Sequence, residues 1–397
     1  MLQIHFANRF ETLSDLLVQR LGEAAGSVFD TQPVIVPSAA VQRQLTLDLA
    51  QAHGICANQP FTYLARWLRE QGARVVPGLD AGPDFDPSHL VWRVLEALHD
   101  KPWTQAHPRL AAYLGSADPV MVFDLARRIA GHFDQYSSYR PEWLASWCQG
   151  RLAELGAADA NAQADQRWQS ELWRRLLAAA GPDPGASSSN FLRAMQGPTS
   201  PSLWPAAVHV FCLPDLPPLH LKMLLAASRH CEIRLYALNP CREYWFEVVG
   251  ERRLASLTAR GQAQHHESGH RLLAAWGQQT QSQLKLLVAA SDEQAEFHEH
   301  YLEPVAASLL ARLQASVLDL SDLAPGSVQL DDADRSIELH VCHSLTREIE
   351  VLHDRLLSLW ADDAQRAPLA AGDVLVVVPD LEAAAPPTPA GPGPGHR

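Results

Sequence analysis

Three times along the chain a short apolar run is followed by an amphipathic stretch and then by a second short apolar run. The clearest instance is Ala207–Trp245. Ala207-Val208-His209-Val210-Phe211-Cys212-Leu213 is brief, apolar and β-branched, the pattern of a buried strand. Pro217 and Pro218 fit a helix start, where backbone N–H groups have no intrahelical partner. Leu219–Ser228 then reads as helix and Glu232–Leu238 as a second strand. Strands joined through a helix run parallel with a right-handed crossover. Ligands on such sheets sit beyond the strand C-termini, here Leu213-Pro214-Asp215 and the loop Asn239–Trp245.

The same alternation predicts a strand at Leu2–Ala7 and a helix through Leu21, with Asn8 and Glu11 as a capping box. A strand at Pro33–Pro37 and a helix Ala39–Ala50 capped by Ser38 follow. The third instance is Ser336–Cys342, a helix after Ser344 that buries Ile349, Leu352, Leu356 and Leu359, and a strand Asp373–Val378. Between the first two instances the period changes. Residues 57–197 carry helical spacing, as in Leu90-Val91-Val94-Leu95-Leu98 and Leu172-Trp173-Leu176-Leu177, with loops at Gly78–Pro87 and Gly181–Ser189. The stretch 251–330 is less patterned, with helices expected over Leu272–Ala290 and Glu296–Ser316 and a boundary at Pro325-Gly326-Ser327.

The predicted fold is therefore α/β. Residues 1–56 and 198–325 form a parallel-sheet domain, 57–197 a helical insertion into it, and 326–382 the start of a second α/β domain. Residues 383–397 are a Pro/Gly/Ala tail unable to bury a core. A sheet domain that stops after two strands points to a truncated or frameshifted product rather than to a sheet completed by a partner.

Charge alters this picture little. The net charge of −13 comes wholly from Asp292 onward, where 19 acidic side chains face 6 basic ones. The first 291 residues balance, so the acidity does not argue against a nucleic-acid surface there. Six scattered cysteines without a CxxC pair, and no apolar run long enough for a membrane span, fit a reduced cytoplasmic protein.

The candidate chemistry is mostly negative. A phosphate-binding loop would follow the first strand, but Ala7-Asn8-Arg9-Phe10 holds neither glycine nor lysine, and the chain has no Gly-Lys pair. The strand ending Cys212-Leu213-Pro214-Asp215 offers one carboxylate where a magnesium-dependent motor would want a pair. ATP hydrolysis by this chain is not expected. The histidines of His265-His266-Glu267-Ser268-Gly269-His270 and His298-Glu299-His300 lack the HExxH spacing and read as solvated segments rather than metal ligands. Asp292, Glu293, Glu296 and Glu299 read as a solvated helix face. Phe133-Asp134-Gln135-Tyr136-Ser137-Ser138-Tyr139-Arg140-Pro141-Glu142-Trp143-Leu144 mixes aromatics, an arginine and acceptors at a helix-to-helix turn. Such groups can stack bases and grip phosphates or base edges. They equally build a Tyr/Trp packing corner, which residue types alone favour.

Five segments together resemble one family. They are Leu2–Phe10 with Asn8-Arg9, the Phe133–Leu144 turn, Asn239-Pro240-Cys241-Arg242 with Tyr244-Trp245, Leu273-Ala274-Ala275-Trp276-Gly277, and His340-Val341-Cys342-His343-Ser344 with Arg347–Leu357. In order and in content they resemble the gamma subunits of exodeoxyribonuclease V, the RecC family, over roughly its N-terminal third. The resemblance implies a superfamily-1 helicase-like front half that has lost its ATPase motifs and has become a channel for single-stranded DNA. It implies a heterotrimer with a RecB-like beta subunit and a RecD-like alpha subunit, which use the ATP and magnesium, and a part in reading the Chi sequence during double-strand-break repair. This chain would need no cofactor and would have no catalytic residue of its own. Carried over by position, Trp67, Asp134 and Arg140 match channel residues, and Tyr136 and Arg43 join them as candidate DNA contacts. The family's Gln-Ser-Thr-Gly-Met-Ala-Gln run is here Pro37-Ser38-Ala39-Ala40-Val41-Gln42-Arg43, and Gly131-His132 replaces an acidic and apolar pair. The familiar Chi contacts are thus incomplete, while a general strand path is unaffected. The alternatives from the residues themselves are a stand-alone nucleotide-dependent DNA enzyme and an inactive fragment of such a subunit.

Overall fold

The computed structural model describes residues 1–23, 31–76, 85–155, 160–180, 184–259, 267–291, 295–305, 307–329, 331–362 and 371–381. The chain divides into two compact units. One is Met1–Val305 with Leu313–Ala324, and the other is Ala306–Arg312 with Pro325–Arg397.

In the first unit eight strands are described: β1 (Leu2–Ala7), β2 (Val34–Ile35), β3 (Phe61–Thr62), β4 (Ala207–Phe211), β5 (Glu232–Leu238), β6 (Val248–Val249), β7 (Glu267–Ser268) and β8 (Ala295–Glu299). Six of them make one parallel sheet in the order β3-β2-β4-β5-β1-β8, and β6 pairs with β7 separately. β4 and β5 are neighbours, with Val208 opposite Ile233 and Val210 opposite Leu235. β1 and β2, expected as a simple pair about one helix, are instead separated by β4 and β5. The physical reason is burial: every residue of β4 is buried, so this strand takes the middle of the sheet.

Strand alternation assigns the two faces. Leu2, Ile4, Ile35, Val208, Val210, Ile233 and Leu235 belong to one core, which also takes in Leu68, Leu221, Leu224, Leu284 and Leu287 from covering helices. Ala7, Val34, Phe211 and Tyr236 face the other way, against Leu13, Leu17 and Leu45 of helices Phe10–Glu23 and Ala39–His53. Ser38 caps the second of these helices, its Oγ accepting from Val41 N. A third, separate core lies among the helices between β3 and β4, where Leu90, Val94, Phe133, Trp147, Leu172 and Trp173 meet.

Several expectations are corrected. Asn8 does not cap the first helix: its Nδ2 donates to Leu302 O and its Oδ1 accepts from Leu302 N, so it fastens the segment after β8. Leu272–Ala290 is two helices, Arg271–Trp276 and Gln278–Ser291, broken at Gly277. A Cβ at Gly277 would come within 2.7 Å of Leu273 O and 2.9 Å of the Trp245 ring, so the break lets backbone approach a buried indole. The helix expected over Glu296–Ser316 is β8 followed by a helix only at Leu309–Leu318. Phe297 stacks on Phe6 and His298 on His5, cross-strand contacts that a helix would forfeit. Glu296 and Glu299 therefore stand on a strand, and Asp292 and Glu293 lie outside the described residues. Of the loop expected at Gly181–Ser189, residues 184–189 belong to a helix, Pro184–Ala194.

In the second unit, helix Leu345–Asp362 forms, with Ser344 Oγ accepting from Arg347 N, but of the side chains expected to be buried Leu352 and Leu359 are exposed and Ile349 and Leu356 only half-buried. The flanking strands do not form. Leu339 and Val341 are 90% and 91% exposed, and Leu375 and Val377 are 87% and 82% exposed. An apolar run becomes a strand only where another strand satisfies its backbone, and among the described residues none pairs with these. Arg355 holds Glu338 in a forked ion pair at 2.6 and 2.8 Å, which fixes the first run along the helix instead. The tail 383–397 lies outside the described residues.

Candidate nucleic-acid interface

The helix Pro119–Tyr139 runs for 21 residues and ends where Arg140 leaves helical geometry, at φ −139° and ψ 47°. Pro141 then opens the helix Pro141–Cys148. The residue before a proline is biased away from helical geometry, so Arg140-Pro141 dictates the break. Arg140 N donates to Tyr136 O, and Arg140 O accepts from Trp143 N, so the turn is closed on both sides.

The arginine side chain is held as well. Its Nη1 donates to the Tyr139 carbonyl at 2.9 Å, and the guanidinium carbon lies 5.8 Å from the centre of the Trp143 ring. Arg140 is nevertheless exposed. Tyr139 donates its phenol proton to the carboxylate of Asp215, in the loop after β4. Burial, that hydrogen bond and the nearby Asp215 and Asp134 charges push the Tyr139 phenol up to about 12, so it remains a donor at neutral pH. Asp134 is open at the surface. Surrounding protein still pushes its carboxyl upward, with Asp86 adding to the rise and Arg69 opposing it.

Tyr136 is half-buried and committed to packing. Its ring meets Trp143 at 5.5 Å and Trp147 edge-on at 5.8 Å, and its hydroxyl donates to Gln169 at 3.2 Å. Trp67, on helix Leu64–Val75, is 5% exposed within the sheet core and presents no free face for a base. Arg43 is exposed on helix Ala39–His53, and no described contact joins it to the turn. The structure thus brings Asp134, Tyr136 and Arg140 together and leaves Trp67 and Arg43 outside the group. Reasoning from the sequence named Tyr139 and Asp215 but missed their contact, since nothing in residue types couples positions so far apart in the chain.

The other motifs are mostly structural. Asn239 is buried: its Oδ1 accepts from Trp245 Nε1 at 3.0 Å, and its Nδ2 donates to Tyr301 Oη at 2.8 Å. Arg242 pairs with Glu303 and Asp319 at 2.7 and 2.6 Å. Of the histidines, His265 and His266 lie outside the described residues, and His270 is buried against Ser316 at 3.0 Å. His298 and His300 flank His5, whose Nδ1 is 3.1 Å from His300 Nε2. Among the described residues no group of three or more His, Cys, Asp or Glu side chains is arranged to hold a metal ion. None of the described helices is long and apolar enough to cross a membrane.

Comparison with known proteins agrees with the motif reading. The family model described as RecC, N-terminal domain, matches residues 2–320. The RecBCD enzyme subunit RecC of Escherichia coli (strain K12) is 30% identical over 435 aligned residues, covering 97% of this chain and 37% of that protein. The subunit of the same description from Haemophilus influenzae is 27% identical, covering 95% of this chain and 38% of its own length. That of Mycobacterium tuberculosis (strain ATCC 25618 / H37Rv) is 30% identical, covering 100% and 36%. The chain therefore spans between a third and two-fifths of the length of these relatives.

Proposed function

As the chain belongs to the RecC family, we propose that it acts as a non-catalytic DNA-channel and scaffold subunit of a RecBCD-type exodeoxyribonuclease V, in the cytoplasm. In this reading it guides single-stranded DNA, contributes to Chi reading in recombinational repair, and assembles with RecB-like and RecD-like subunits that consume the ATP and magnesium. Its sheet is that of a superfamily-1 helicase fold without the phosphate site. Only Asn8 and Arg9 separate β1 from the following helix, and Asn8 is occupied by the Leu302 backbone, which leaves no loop to cradle a triphosphate.

The observation that carries the DNA contact is the exposed Arg140 fixed on Trp143 and the Tyr139 carbonyl, with Asp134 and Asp215 near the Tyr139 phenol. An exposed guanidinium on a turn whose helix also carries Asp134, with Asp215 bound to the adjacent Tyr139, suits a base edge better than a phosphate. Carboxylates accept from exocyclic amines and arginine donates to guanine, whereas a phosphate would be repelled by both acids. Tyr136 supports the turn by packing, Trp67 belongs to the sheet core, and Arg43 supplies a separate phosphate contact.

The test is fluorescence anisotropy of labelled single strands differing at one base, with the chain and with its assembled complex. Arg140→Ala is expected to cost about 1–3 kcal/mol at one base position and little at the others. An equal loss for every strand, with a shallower salt dependence, would make Arg140 a phosphate contact instead. Unchanged binding to all strands would remove the site. Purified chain is expected to turn over no ATP with or without DNA.

A further inference from the structure

The loop after β4 is clamped at both ends and carries one polar side chain outward. Cys212 stands at φ +45°, a left-handed backbone that residues other than glycine adopt rarely, and its N–H still donates to Tyr236 O at 2.9 Å. The next carbonyl, Leu213 O, accepts from Gln283 Nε2 at 2.8 Å. Leu216 and Pro217 are buried, and Pro218 opens the next helix. Between these anchors Asp215 is exposed, and its carboxylate accepts the Tyr139 phenol proton. Burial lowers the pKa of His220, five residues on, so that imidazole is neutral at neutral pH and does not compete as a cation for the carboxylate.

Tyr139 is thus used twice. Its side chain is tied to the sheet through Asp215, and its carbonyl holds the Arg140 guanidinium. We propose that Asp215 is a positioning residue: through Tyr139 it fixes the peptide from which Arg140 reaches the DNA strand. The link runs from a rigid strand end to a turn between two helices, which otherwise depends on its own packing for its direction. A carboxylate in the loop where a motor protein would look for magnesium is here committed to a tyrosine of the helical insertion. The inference rests on the DNA-contact reading of Arg140 given above.

The test uses the full chain and a short fluorescein-labelled single strand of mixed sequence. Asp215→Ala and Tyr139→Phe each remove the hydrogen bond, and each is expected to weaken binding by about threefold to tenfold. Asp215→Asn keeps an oxygen that accepts the phenol proton and is expected to restore most of the affinity. In an Arg140→Ala background neither Asp215→Ala nor Tyr139→Phe is expected to weaken binding further, because the group being positioned is gone. Additive losses in that background would overturn the positioning role and leave the Arg140 contact standing. Tighter binding by both Asp215→Ala and Asp215→Asn would also overturn it, since the carboxylate would then act only by repelling the strand. If Arg140→Ala alone leaves binding unchanged, the contact reading falls and the positioning role falls with it.

Discussion

At the scale of single residues, two kinds of buried polar group set the limits of this chain. Asn239 satisfies Trp245 Nε1 and Tyr301 Oη at once, so removing it strands one buried and one half-buried partner. Asn239→Ala is expected to cost about 2–4 kcal/mol in urea unfolding, since each orphaned group costs about 1–3 kcal/mol. Gly277→Ala would push a methyl against the same Trp245 ring and is expected to cost about 1–3 kcal/mol. The second kind is the row of rings His5, Tyr236 and His209 across one face of the sheet, with His209 Nδ1 3.0 Å from Tyr236 Oη. Burial, then the neighbouring His298 and His300, lower His5 to about 3 from an ordinary 6.5, and burial does the same to His209. Both therefore fold as neutral rings, while the unfolded chain takes up protons below 6.5. The stability they allow is complete above that value and is lost as pH falls toward 3. Urea midpoints measured across this window are expected to fall with pH. His5→Phe is expected to flatten part of that fall, although it gives up the contact with His300. A fall of unchanged steepness in that variant would assign the acid sensitivity elsewhere.

At the scale of elements, legibility followed local pattern and failed where pairing was non-local. β4, β5, the helix starting at Pro218 and the Ser38 cap stand where apolar runs, proline and a cap residue put them. β8 was misread because Glu, His and Gln around Phe297 look solvated, and only the neighbouring β1 gives their alternation a meaning. The break at Gly277 was legible as a glycine but not as an indole contact. In the candidate site, Asp134, Tyr136 and Arg140 share one turn and were readable together, whereas the Tyr139–Asp215 contact spans 76 positions and no pattern announces it. Ser336–Cys342 and Asp373–Val378 have the composition of strands, but among the described residues no strand pairs with them. Backbone groups left to water exchange freely, so amides of 339–341 and 374–378 are expected to exchange within the dead time while those of β4 and β5 remain protected. Equal protection in the isolated chain would mean that those runs do pair.

At the scale of the whole molecule, charge decides how strongly the chain can hold a strand. The net charge is −13, and the excess lies from Asp292 onward. A channel that worked by neutralising many phosphates would show steep salt dependence, about 0.7 in log K per log salt for each phosphate contacted on a single strand. The proposed turn instead offers one held arginine, with Arg43 elsewhere. A slope equivalent to about one or two phosphates is therefore expected. Repulsion from the net negative charge adds a second effect of opposite sign. At low ionic strength the Debye length grows to about 30 Å, so a net charge of −13 is less screened and weakens the approach of a polyanion, and added salt first relieves that. Affinity plotted against salt is thus expected to pass through a shallow maximum before declining, rather than to fall monotonically. A steep straight decline would place the strand on a basic surface elsewhere and would remove the turn from the centre of binding. If the maximum is observed, and if Arg140→Ala lowers it without changing the slope beyond it, then a base edge is being read by a surface that carries little excess positive charge.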